Sequence, residues 1–100
     1  MGKLKERTPR ERLYWLINLF LKKQIETDKF CNEFHITFDH NADHSEFSVL
    51  ENKEFGELAE IAARFSPFEE DLKLYPNVYC GERDVEEKIN HIVQALNIKE

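Results

Sequence analysis

Phe30, Phe34 and Phe38 recur at every fourth position, with Cys31 beside the first of them, and no other feature restricts the folding of this chain more. Residues four apart lie one above another on a helix, so this spacing stacks three rings on a single face. A helix over about 28 to 40, capped by Thr27, uses all three at once. The same segment carries a competing reading, because Phe34-His35-Ile36-Thr37-Phe38 also alternates like a half-buried strand and contains β-branched residues. No second strand candidate lies nearby, and the helix leads.

Three further segments carry helical signals. Thr8-Pro9-Arg10-Glu11 supplies a cap, a proline at the first helical position and a Glu three residues after the cap, which opens a helix from Pro9 to about Lys23. Its inward stripe is Leu13, Leu16, Ile17 and Phe20, widened by Tyr14, Trp15 and Leu21, and Lys22 and Lys23 suit its negative pole. From about Glu51, the spacing Phe55, Leu58, Ile61 or Ala62, and Phe65 is helical, with Glu54, Glu57 and Glu60 together on the opposite face. That helix ends before Pro67, which restricts Ser66. Residues 67 to 83 hold one helical turn, FEEDLKL, followed by turn signals at Tyr75-Pro76-Asn77 and Cys80-Gly81. Asp84 is the expected cap of a last helix with Val85, Ile89, Ile92, Val93 and Leu96 turned inward and Asn97 as its stop. HNADHS, residues 40 to 45, reads as a loop.

Few glycines and prolines, with abundant Glu, Leu, Lys and Ile, agree with an all-α chain. One hundred residues, 41% hydrophobic and 34% charged, are enough for a single core and too few for two. The expected architecture is a single-domain antiparallel bundle of about four helices, with the basic segment 1 to 8 outside the core. LYWLINLFL is too short and too interrupted by Asn18 for export or spanning, Glu6 stands where a myristoylation signal wants Ser or Thr, and a cytoplasmic protein without membrane contact is expected.

The net charge of −6 conceals a division. Residues 1 to 23 carry seven Lys/Arg against two Glu, while residues 24 to 100 carry seven against eighteen acids. Between 39 and 71, ten acids face only Lys53 and Arg64. Such a field repels phosphate backbones and attracts cationic protein surfaces, which argues against direct nucleic-acid binding.

Catalytic and metal constellations are weak. Cys31, His35 and Asp39 stand one helical turn apart, but side chains on one helix seldom converge on a shared reacting atom, and two isolated cysteines read as core thiols. His40, Asp43 and His44 offer too few ligands for a metal site. No phosphate-binding glycine loop or HExxH is present, so a non-enzymatic protein with no metal and no cofactor is expected.

Glu69, Glu70 and Asp71 stand side by side among Phe65, Phe68, Leu72, Leu74 and Tyr75. A solvated face is the plain reading of an acidic helical surface. Two details point to an interface instead. The acids extend the third helix at its negative pole, a placement that costs stability, and flanking aromatics with surrounding charge are what interface centres favour.

The order LINLFLKKQIETDKF, then a Glu-rich helix ending in AARFSPFEEDL, then a Gly followed by VEEKINHIVQAL, resembles the immunity proteins of the colicin D type, including those paired with contact-dependent inhibition toxins. The likeness covers about residues 13 to 96 and leaves out the basic opening segment. It implies a small helical bundle that binds a tRNA-cleaving nuclease toxin and fills the toxin's basic active-site cleft with acids in place of substrate phosphates. The family's RF-x-P core corresponds to Arg64-Phe65-Ser66-Pro67, and Glu69, Glu70 and Asp71 are the nearest acids for the inhibitory role. Ala63 and Ser66 stand where the family pattern would place further acids. The expected partner-binding set is Glu57, Glu60, Arg64, Phe68, Glu69, Glu70, Asp71 and Tyr75, on a monomer. A second reading is a helical adaptor or regulatory subunit that uses Tyr14, Trp15 and Leu21 of the first helix for protein–protein contacts.

Overall fold

Thr8 starts the first helix: its Oγ1 accepts the Glu11 amide while the Glu11 carboxylate accepts the Thr8 amide, so two free donors are satisfied reciprocally. The computed structural model describes residues 8–98, and the basic segment expected outside the core lies, apart from Thr8, outside the described residues. Helix α1 (Pro9–Leu21) is followed by α2 (Thr27–Ile36), a π-helical turn (Thr37–Asn41), a 3₁₀ turn (His44–Glu46), α3 (Val49–Ala63), the short α4 (Glu69–Leu74) and α5 (Glu82–Ala95). The fold is an all-α single-domain bundle.

The strand alternative at 34–38 is excluded: the segment is helical and runs into the π-helical turn, which carries Phe38 into the core. Helix α2 packs between α1 and α3, and α5 covers another side of α3. Phe30 and Phe34 are fully buried, with Phe34 edge-on to Phe55 of α3 at 5.9 Å and Phe20 against Phe30 at 5.1 Å. Burying one such ring is worth roughly 1.5–3 kcal/mol, and a well-placed ring pair about 0.5–1.5 kcal/mol more. Leu13, Leu16 and Ile17 of α1, Leu58 of α3, and Val85, Ile89 and Ile92 of α5 complete the core as the apolar spacing expects.

Helix ends account for the boundary differences. Thr27 is not the cap of α2 but its first residue, behind Glu26, and its hydroxyl donates to Glu82 at 3.0 Å. Helix α3 begins two residues before Glu51, because Ser48 and Glu51 form a second capping box. Asp84 does not cap α5. Gly81 holds that position, and Asp84 sits three residues in, accepting the Gly81 amide at 2.8 Å. Asn97 ends α5 at φ 56°, as its type suggests, and Lys23 ends α1 at φ 58°, a left-handed position an L-residue occupies at a cost of roughly 1–2 kcal/mol.

Candidate protein-interaction site

Between α3 and α5 the chain leaves the bundle and returns. The Cys80 amide donates to the Arg64 carbonyl and the Ser66 amide to the Cys80 carbonyl, both at 2.9 Å, in the parallel bridge that joins Phe65 to Cys80. Residues 66 to 80 therefore form an excursion closed at its base. Within it, the buried Ser66 donates its hydroxyl to Asp71 at 2.6 Å and accepts the Phe68 amide at 3.2 Å. These bonds aim the first turn of α4. A Cβ built on Gly81 would stand 3.0 Å from a methyl of Leu72, so the absence of a side chain there lets α4 lie against the start of α5.

The excursion exposes large apolar side chains among its charged ones. Five of the eight exposed large apolar side chains among the described residues fall between 68 and 79, on this one segment. Phe68 is 66% exposed and Leu74 70%; Tyr75 and Val78 are each half exposed, and the Tyr75 and Tyr79 rings meet edge to face at 6.1 Å. A run of this kind, bordered by Glu69, Glu70 and Lys73, has the make-up of a contact surface.

The structure divides the expected partner-binding residues. Phe68, Glu69, Glu70, Asp71 and Tyr75 lie together on the excursion. Glu60 and Arg64 stand one turn apart at the end of α3 and pair at 3.2 Å. Glu57 belongs elsewhere, held by Lys88 of α5 and by Lys53. Leu74, Val78 and Tyr79 were not in the expected set. Leu74 is named by sequence only as an apolar neighbour of the acids, and Val78 and Tyr79 only as members of a turn-rich stretch without a helical face to bury them.

Two electrostatic expectations need correction. Glu54 does not share a solvent-facing stripe with Glu57 and Glu60, because its carboxylate is buried between α3 and α5 against Lys88. The Lys88 hydrogen bond is the main reason its pKa is lowered despite burial. Nor do Glu69, Glu70 and Asp71 burden the negative pole of α3. They occupy the first turn of α4, at its positive pole, where acids are stabilising by about 0.3–1 kcal/mol each. Part of the wider charge division is also internal, since Arg10 pairs with Glu51 and Arg12 with Glu33.

The Cys31 thiol is buried beneath α2, and burial, with nearby acids, pushes its pKa up to about 12, far from a nucleophile's range. His35 lies 3.7 Å from Asp39. His44 stacks on Phe38 and its Nε2 meets the Phe38 carbonyl at 2.8 Å. Among the described residues no group of three His, Cys, Asp or Glu could hold a metal ion, and no helix is long and apolar enough to cross a membrane. On α1, the Tyr14 hydroxyl donates to Glu51 and its ring packs edge-on to Phe55. No family model matches the chain, and neither does any curated protein or solved structure.

Proposed function

We propose that the chain is a cytoplasmic, monomeric immunity protein that binds and inhibits a tRNA-cleaving nuclease toxin, with the excursion of residues 66 to 80 as its contact surface. The single observation that carries the reading is the run of exposed apolar residues Phe68, Leu74, Tyr75, Val78 and Tyr79 interleaved with Glu69 and Glu70 on a segment tied to the bundle at its base. A cleft that binds RNA must present cationic groups, and carboxylates aimed into it pair with those groups while excluding substrate. The resemblance to the colicin D type, Arg64-Phe65-Ser66-Pro67 above all, supplies the identity of the partner. Glu60 and Arg64 sit at the edge of this surface, whereas Asp71 acts through Ser66 to hold α4 in place.

The test uses the nuclease domain encoded by the adjacent reading frame. Glu69→Lys with Glu70→Lys is expected to leave the circular dichroism spectrum unchanged, to weaken toxin binding by about 2 kcal/mol or more, and to release tRNA cleavage. Association of the unaltered protein should slow as salt rises. An unchanged affinity in the double variant would remove the site, and the absence of a nuclease domain beside this gene would remove the partner.

A further inference from the structure

A cavity of about 710 Å³ lies between the α1–α2 connection and the first turn of α5, which the Thr27–Glu82 hydrogen bond joins at one point, on the side of the bundle where Phe65 and Pro67 lead into the excursion. Half-buried Phe20, Ile25 and Phe65 form its apolar floor, and the exposed carboxylates of Glu26, Asp28, Glu82 and Glu86 form its rim. Lys23 is the one cation among the lining residues. The helix poles matter here, because α2 and α5 both begin at the cavity and each contributes roughly half a positive charge. Four carboxylates against Lys23 and two such poles still leave an excess of about two negative charges.

That balance decides the occupant. A phosphate-bearing ligand would be repelled, and a purely apolar one would strip water from the carboxylates without replacing it. An arginine or lysine side chain meets both walls, its stem on the rings and its head at the rim, with the ring faces adding attraction for the cation. The volume lies within the range of cavities that take small ligands, with room for more than one side chain.

We propose that this cavity receives a cationic side chain together with an adjoining apolar one from the protein partner, as a second point of contact beside α4. The inference rests on the reading of the chain as a binder of a basic protein partner. It differs from that reading in its place, at the α1–α2 connection, and in its chemistry, capture of a single basic residue over an aromatic floor.

The experiment titrates the full chain with phenylalanyl-arginine amide and follows the amide resonances by ¹H–¹⁵N NMR. Saturable shifts at Phe20, Gln24, Asp28 and Phe65 are expected, with phenylalanyl-citrulline amide binding at least about fivefold more weakly. Glu26→Gln with Glu86→Gln should weaken the arginine probe by a similar factor, and since neither carboxylate has an ion-pair partner among the described residues the fold is left undisturbed. Absence of saturable shifts, equal binding of the citrulline probe, or an unaltered affinity in the double variant each overturns the proposal. Glu69→Lys with Glu70→Lys should bind the probe as the unaltered protein does. Loss of toxin binding there with probe binding kept separates the two sites, and loss of both refutes a separate cavity site.

Discussion

Glu54 of α3 and Lys88 of α5 meet at 2.8 Å inside the contact between their helices, with the carboxylate 3% and the ammonium 12% exposed. Lys53 at 3.3 Å and His91 at 3.3 Å complete the setting of the carboxylate. Replacing a buried pair with apolar groups is often tolerated, whereas removing one partner strands a charge. Lys88→Met is therefore expected to cost about 3 kcal/mol, and Glu54→Gln added to it to recover more than half. Urea denaturation of the two variants checks this. A loss below about 1 kcal/mol for Lys88→Met would show that Lys53 and His91 suffice.

Glu51 makes the bundle sensitive to acid. Burial alone would raise its carboxyl, but hydrogen bonds from Arg10, Tyr14 and the Ser48 amide outweigh burial and hold it at about 2, against an ordinary 4.5. A carboxyl depressed in the folded state stabilises the fold above its unfolded pKa, and that contribution disappears as pH falls through the folded value. Stability should drop by roughly 3 kcal/mol between pH 4.5 and pH 2 on this account. Glu51→Gln should be less stable at neutral pH and show a flatter profile across that window. Parallel profiles in urea titrations of the two proteins would contradict the assignment.

Ser66 holds the excursion from within. Ser66→Ala removes the hydroxyl shared by Asp71 and the Phe68 amide, at a local cost of about 1 kcal/mol. Hydrogen exchange should quicken by about fivefold for amides 71 to 79 while those of α5 keep their protection. Equal acceleration in α5 would mean that the excursion and the core open together.

What the sequence reveals here depends on how local the cause is. The ring spacing of Phe30, Phe34 and Phe38, and the capping residues Thr8 and Glu11, act within one or two turns, and helices α1 and α2 follow from them. Asn97, at the left-handed position, behaves in the same way. Glu54 was misplaced because its burial depends on Lys88, 34 positions away on another helix, and helical spacing alone could not reveal that partner. Glu69, Glu70 and Asp71 illustrate the opposite case. They are first-turn acids of the short helical turn that FEEDLKL signals, and adjacency to Pro67 alone does not tell whether their charge falls at the end of α3 or at the start of α4. Phe68 and Tyr75 are legible as an apolar border to the acids, whereas the exposure of Leu74, Val78 and Tyr79 is not, since no spacing among them separates inside from outside.

Because the Cys80 amide and carbonyl close the base of residues 66 to 80 and Leu72 rests at Gly81, the outward residues of that segment contribute little to what holds the helices together. Substitutions at Phe68, Leu74, Tyr75 or Val78 can accumulate at slight thermodynamic penalty, since side chains already in water have little burial to lose. The outer side of such a segment can change chemically while the helices beneath stay put.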